Sequence, residues 1–197
     1  GWLNETGAKY PVEVAIHKDN VLLTIDTSGS GLNKRGYRLA QGEAPIKETL
    51  AASLIRLANW KGDSPLIDPF CGSGTIAIEA CLIAQNIAPG FNRDFVSEEW
   101  NIMPPNIYDE LRDEADRMAD YDKEIEVYAS DIDPEMVEIA KRNAEEVGLG
   151  DIIQFNVKDV NTLTIDSEGP VALVGNPPYG ERIGDREEVE EMYRYIG

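Results

Sequence analysis

One continuous run constrains this chain more than any other. The short apolar strand Leu66-Ile67-Asp68 passes through Pro69-Phe70-Cys71-Gly72-Ser73-Gly74-Thr75 into the largely apolar stretch 76–84. A helix that is apolar on nearly every side has to be buried. Strand, glycine turn and buried helix together form the first half of a mononucleotide-binding unit. Glycines in such a turn let main chain approach a ligand closely. The helix N-terminus behind them favours a carboxylate or phosphate. No Gly-Lys-Ser/Thr closes the turn, so it is not a Walker loop, and the full dinucleotide glycine spacing is absent too. A plain tight turn is the alternative reading.

The same rhythm recurs downstream. Residues 125–129 form a second short strand that ends in Ser130-Asp131-Ile132-Asp133, and Pro134 opens a helix with Met136, Val137, Ile139, Ala140, Ala144 and Val147 on its apolar side. An acidic residue at the end of the second strand is where such folds hold ribose hydroxyls, and the Asp131 carboxylate can accept from two vicinal hydroxyls. Asp133, just before Pro134, reads as a helix cap. Residues 152–157 give a third strand, left through Lys158-Asp159-Val160, where Asp159 is either an acceptor for an adenine amine or a turn residue. A fourth strand, Val171-Ala172-Leu173-Val174, leads into Asn176-Pro177-Pro178-Tyr179, and a further helix is expected over 187–195. Four strands alternating with helices predict a doubly wound α/β sheet with its ligands at the C-terminal strand ends. A sheet stopping after its fourth strand leaves an unpaired edge, so the chain is expected to be a fragment.

Asn176-Pro177-Pro178-Tyr179 carries the most specific chemistry. Its prolines have no N–H and a fixed φ, so the loop is stiff and presents carbonyl oxygens without competing donors. Asn176 adds a side-chain carbonyl and Tyr179 a flat ring. Two convergent acceptors and a stacking platform suit a planar base with an exocyclic NH2. Each acceptor takes one amine hydrogen and the nitrogen lone pair is turned toward an electrophile. A proline-rich turn after a core strand is the bland alternative.

At the front, residues 11–18 and 21–26 alternate apolar and polar side chains around Lys18-Asp19-Asn20, a β-hairpin pattern with His17 on the polar side. Thr27-Ser28-Gly29-Ser30-Gly31 is a flexible break, and Lys34-Arg35-Gly36-Tyr37-Arg38 is the densest basic cluster of the chain. That cluster is either a contact for backbone phosphate or a solvated linker. Pro45 opens an amphipathic helical pattern to about residue 59, built on Leu50, Leu54 and Leu57 with Ala51, Ile55 and Ala58. An irregular insertion over 88–106 is either functional or an aromatic cover for a helix end. Residues 106–122 read as an acidic helix with a solvated face.

With 37 acidic against 18 basic residues, the formal charge is −19. That balance opposes adhesion to a polyanion, so a nucleic-acid substrate needs a local basic patch or another part of the protein. Cys71 and Cys81 are too few for a disulfide scaffold or zinc knuckle, which points to a reducing, cytoplasmic setting. No apolar run is long enough for a membrane span and no signal-peptide layout is visible.

Taken together, these residues resemble the class I S-adenosylmethionine-dependent methyltransferases of the amino-methylating kind, with a Rossmann-like doubly wound sheet. The resemblance implies a cofactor site from Asp68, Pro69, Phe70, Cys71, Gly72, Gly74 and Thr75, with Asp131 and Ile132 at the ribose, Asp159 at the adenine, and Asn176. More narrowly, the chain resembles the bacterial large-subunit ribosomal RNA guanine-N2 methyltransferases that carry an N-terminal THUMP domain. The carriers are Gly31-Leu32-Asn33-Lys34-Arg35-Gly36-Tyr37-Arg38, Ala44-Pro45-Ile46-Lys47-Glu48-Thr49-Leu50-Ala51-Ala52, Ala88-Pro89-Gly90 and Asn176-Pro177-Pro178-Tyr179-Gly180-Glu181-Arg182. This resemblance implies methyl transfer to guanine N2 of 23S ribosomal RNA, with S-adenosylhomocysteine as product and no metal. It implies catalytic roles for Asn176, Pro177 and Tyr179. It also implies substrate contacts from Lys34, Arg35, Arg38, Pro178, Tyr179 and Gly180. Residues 1–39 become a hairpin and basic linker, the tail of a THUMP-type RNA-binding region, and residues 40–197 a methyltransferase domain truncated after its fourth strand. Adenine-N6 or protein-glutamine methylation, or a non-catalytic cofactor-binding or RNA-docking fragment, are the competing readings.

Overall fold

In the computed structural model, residues 6–40, 45–165 and 167–178 are described. The expected helix over 187–195 lies outside them, as do Tyr179 and Gly180.

The chain opens with a hairpin of β1 (Val12–His17) and β2 (Asn20–Ile25). Lys18 and Asp19 both take positive φ, 44° and 62°. That is the type I′ geometry whose twist matches paired antiparallel strands. The register sets Val12 against Ile25, Val14 against Leu23 and Ile16 against Val21. All six sit on one face, and all are more than half exposed.

The main sheet is parallel, with strand order β5-β4-β3-β6. It comprises β3 (Leu66–Asp68), β4 (Val127–Asp131), β5 (Ile153–Val157) and β6 (Ala172–Leu173). The second strand therefore begins two residues later than expected and takes in Asp131. The cause is its pairing with β5, which continues to Asp131 opposite Val157. The order reverses beside β3, between its pairing to β4 on one side and to β6 on the other. Such a reversal opens a crevice at the strand ends.

Helices α1 (Glu48–Leu57), α2 (Thr75–Ala84) and α4 (Pro134–Glu146) build one layer over the sheet, and α3 (Ile107–Met118) buries none of its residues. Ala77, Ile78, Ala80 and Cys81 of α2 share a core with Leu66, Val127, Ala129 and Ile153 from the strands. The α1 pattern is correct in period but rotated in phase. Glu48, Ala51 and Ile55 are buried, whereas Leu50 and Leu57 are 53% and 82% exposed. The helix starts at Glu48 rather than near Pro45, after an extended Lys47, and the Glu48 carboxylate lies 3.1 Å from Arg38.

The insertion over 88–106 docks the linker that follows the hairpin. Arg93 is buried, and its two terminal nitrogens donate to the carbonyls of Ser28, Ser30, Gly31 and Lys34 at 2.7–3.4 Å. Ser97 Oγ donates to the Thr27 carbonyl, and Trp100 Nε1 to that of Lys9. Gly36 passes so close that a Cβ would lie 2.0 Å from the Asn92 carbonyl oxygen, and its φ of +98° is one that side chains rarely adopt.

Arg93→Ala leaves four carbonyls without their donor. Chemical denaturation should show a loss of about 3 kcal/mol, since hydrogen bonds to a charged group contribute about 1.5–3 kcal/mol each and do not add. Limited proteolysis should cut at Lys34 or Arg35 sooner than in the parent. A variant within about 0.5 kcal/mol of the parent would mean that the linker is held elsewhere.

Candidate active site

Asp68, the last residue of β3, is fully buried. One carboxylate oxygen accepts the Phe70 N–H at 3.2 Å, and the other has no partner. Burial lifts its pKa to about 7; the Phe70 N–H opposes the shift and the neighbouring Asp131 adds to it. A carboxyl group in dry surroundings with an unused oxygen has room for one more polar partner.

Asp131, the last residue of β4, ties three strand ends together. Its Oδ2 accepts the Gly72 N–H at 2.9 Å and its Oδ1 the Asp133 N–H at 3.0 Å. Its main-chain carbonyl accepts the Lys158 N–H at 2.9 Å. Each carboxylate oxygen retains a lone pair for an incoming hydroxyl. The loop is held further by Cys71 N–H on the Ser130 carbonyl and Gly74 N–H on the Cys71 carbonyl, at 2.9 and 2.7 Å. A Cβ at Gly72 would meet nothing within 4 Å, so open space faces the turn there. Gly74 instead leaves room for α4, since a Cβ would lie 3.0 Å from that of Ala140. Pro69, Cys71 and Thr75 are buried, and Phe70 is half-buried. Burial pushes the Cys71 thiol well above its ordinary range, with Asp68 and Asp131 adding to the effect. It therefore packs as a neutral side chain.

Ile132 is exposed beside Asp131. Asp133 caps α4 by accepting the Glu135 N–H, the role read from Pro134. Asp159 accepts the Asn161 N–H at 2.9 Å and so caps a short 3-10 turn. Its carboxylate stands at the β5 end of the same sheet edge.

The fourth strand closes the crevice. Val174 N–H bonds to the Ile67 carbonyl at 3.0 Å, continuing the β3–β6 pairing. Gly175 then passes directly over the first loop, where a Cβ would lie 3.3 Å from Asp68 Oδ1 and from the Phe70 ring and 3.4 Å from Pro69. A Cβ there would force these side chains to give by a few tenths of an ångström. The next residues are Asn176, Pro177 and Pro178, all half-buried. Asn176 is therefore brought to the Asp68–Phe70 loop.

The basic cluster is arranged differently from a free phosphate contact. Arg35 donates to Glu79 at 3.4 Å and to the Leu32 carbonyl at 2.9 Å. Arg38 pairs with Glu48 and donates to Thr75 Oγ1 and the Ile46 carbonyl, both at 2.9 Å. Both guanidinium groups are thus committed inward, and Lys34 alone of the three stands exposed. Tyr37 is buried in the core and donates to Glu79 at 3.1 Å. Burial raises the Glu79 pKa, against the pull of Arg35 and Tyr37. Asn143 of α4 donates to the carbonyls of Ala40 and Ser73 and accepts the Leu39 N–H, lacing linker, loop and helix. Sequence reasoning singled out none of Glu48, Glu79, Asn143 or Arg93. Glu79 alone carried a signal, as the one charge inside an apolar helix, since such a group needs a buried partner.

Among the described residues, no three His, Cys, Asp or Glu side chains converge as around a metal ion, and no helix is long and apolar enough to cross a membrane.

A glycine loop, a strand-end acid and an asparagine-proline loop at the switch point of a 5-4-3-6 parallel sheet mark a doubly wound domain of the nucleotide-binding kind. The chain belongs to the RMKL-like methyltransferase domain family, whose model matches residues 35–197. It is 58% identical over 196 residues to "Putative RNA methyltransferase YpsC" of Bacillus subtilis, covering 100% of this chain and 51% of that protein. It is 40% identical over 200 residues to "Ribosomal RNA large subunit methyltransferase K/L" of Shewanella baltica, covering 99% of this chain and 28% of that one. Two solved structures are similar as well. One is described as a predicted N6-adenine-specific DNA methylase from Listeria monocytogenes, with TM-score 0.91 and 56% identity over 98% of this chain and 50% of that one. The other is "SMU.472, a putative methyltransferase complexed with SAH", with TM-score 0.89 and 46% identity over 97% of this chain and 50% of that one. The chain thus spans about half the length of YpsC and less of the K/L protein. The SAH of the SMU.472 complex is the product form of an S-adenosylmethionine cofactor. The open face of Gly72 and the unused oxygen of Asp68 fit such a group.

The raised Asp68 pKa fixes the sign of a pH effect. Between about pH 4 and about pH 7 the folded chain holds a proton on Asp68 that the unfolded chain has released. Its stability therefore falls as pH rises through that window, by up to about 1.4 kcal/mol per pH unit from this group. Asp68→Asn should remove this slope and make the chain more stable than the parent at pH 8, read as denaturation midpoints across pH. Parallel profiles for parent and variant would contradict the assignment.

Proposed function

We propose that the protein transfers a methyl group to the exocyclic N2 amine of a guanine in large-subunit ribosomal RNA. The observation that carries this reading is the close passage of Gly175 over Asp68 and Phe70, which brings Asn176 to the cofactor loop. The K/L relative's name supports ribosomal RNA as the substrate class. When bound, S-adenosylmethionine supplies an electrophilic methyl on a sulfonium.

This chain's part is positioning and electrostatics. Asp131 and Ile132 take the ribose end of the cofactor, Asp159 its adenine, and the loop from Asp68 to Thr75 its remaining length. Asn176 Oδ1 and the Pro177 carbonyl accept the two amine hydrogens, localise the nitrogen lone pair and aim it. Pro178, Tyr179 and Gly180 follow in the chain; Tyr179 supplies a ring on which an extruded base stacks. The amine becomes acidic as the methyl arrives, so no strong base is needed. Residues 1–39 form the end of an RNA-binding region whose remainder supplies the positive surface that a −19 chain lacks. Of the basic cluster, Lys34 faces the substrate side while Arg35 and Arg38 hold the linker through Glu79 and Glu48, and the setting is cytoplasmic. The Listeria structure's description favours adenine N6 as the second reading.

Asn176→Ala should lower transfer at least about 100-fold while leaving cofactor affinity nearly unchanged, as expected for a group that acts on the reacting amine. Nucleoside analysis of ribosomal RNA methylated by the full-length protein should yield N2-methylguanosine. N6-methyladenosine in its place would overturn the guanine assignment. Equal loss of cofactor affinity in the variant would remove the role given to Asn176.

A further inference from the structure

A cavity of about 440 Å³ lies between the linker and the start of α1, lined by Asn33, Lys34, Arg35, Arg38, Lys47 and Glu48. Four of these side chains are cations. The carboxylates paired with them are Glu48, on Arg38, and Glu79, behind Arg35. Among the described residues, these four cations face two paired carboxylates, in a chain whose total is −19. The arginines are fixed by their ion pairs and form rigid walls. Lys34 and Lys47 are exposed, and neither is paired with a carboxylate among the described residues. Lys47 is also the N-cap of α1 and offers the helix no side-chain acceptor. The Leu50 and Ala51 N–H groups bond to the Lys47 carbonyl, and the Glu48 and Thr49 N–H groups before them have no side-chain cap, at the end where the helix dipole favours an anion. Pairing and helix end point the same way, toward an oxyanion.

The position of the cavity relates it to the reaction. Arg38 joins the cavity wall to Thr75, the first residue of α2, through its bond to Thr75 Oγ1. The cavity thus adjoins the loop that approaches Asn176. We propose that it is a seat for a phosphodiester of the RNA strand whose base enters the site, with Lys34 and Lys47 as the free cations and the α1 N-terminus completing the set. This rests on the RNA reading above and adds to it Lys47, the helix end and the phosphate they hold. The cofactor's own carboxylate is the other source of an oxyanion at this edge, and the test separates the two.

The experiment titrates the 197-residue chain into a labelled single-stranded oligoribonucleotide by fluorescence anisotropy at several salt concentrations, beside calorimetric titration with S-adenosylhomocysteine. Lys34→Gln/Lys47→Gln should weaken RNA binding about tenfold at low salt and flatten the slope of log K against log salt by about 0.7 for each phosphate no longer neutralised. Affinity for S-adenosylhomocysteine should stay within about twofold of the parent. An unchanged RNA affinity and slope would overturn the site, as would no detectable RNA binding by the parent at low salt. A fall in S-adenosylhomocysteine affinity instead would assign the cavity to the cofactor. The identity of the methylated nucleoside is read separately, so a lysine-dependent RNA affinity stands even if the product is not N2-methylguanosine.

Discussion

The site depends on the Asp131 carboxylate and its bond to the Gly72 N–H. Parallel strands end at different depths, and their loops have no ladder of their own to fix them. Asp131 supplies that ladder. One side chain and one carbonyl hold the cofactor turn, the start of α4 and the exit from β5. A charge-assisted bond to a backbone N–H is stronger than a neutral one, and this one orders the surface that a ligand must meet. The cost is a second carboxyl group nearby, Asp68, which burial and its neighbour keep partly protonated near neutral pH. Asp131, hydrogen-bonded on both oxygens, serves as the anchor, while Asp68 lies buried with one carboxylate oxygen unpartnered.

A second layer of polar bonds secures the linker to this frame. Arg93 gathers four linker carbonyls, Tyr37 and Arg35 meet Glu79 inside α2, and Asn143 joins the linker to the Ser73 carbonyl. The segment that precedes the sheet is therefore part of the domain's packing. Of its cations, Lys34 is left exposed, near Lys47 at the start of α1.

Much of this was legible in the sequence because it is locally encoded. The run from Leu66 to Ala84 announced strand, turn and buried helix through its composition. Asp133 before Pro134 announced a cap, and alternating Val12, Val14 and Ile16 a hairpin. That the four strand ends share one sheet edge followed from the alternation of strands and helices, while their order β5-β4-β3-β6 came from the structure. What could not be read depends on partners far along the chain. Arg35 and Arg38 looked like free cations, because Glu79 and Glu48 lie in other elements. In α1 the expected Ala51 and Ile55 do turn inward, but Leu50 and Leu57 face out and Glu48, paired with Arg38, lies inside instead. Arg93 carried no local pattern at all.

The central claim is that these strand ends form an S-adenosylmethionine site organised by Asp131. Calorimetric titration with S-adenosylhomocysteine, run on the parent chain and on Asp131→Ala, tests it most directly. Saturable one-to-one binding by the parent, weakened at least about tenfold in a variant that remains folded, is the expected result. A folded parent chain that binds nothing, or a folded variant that binds as tightly as the parent, would contradict it.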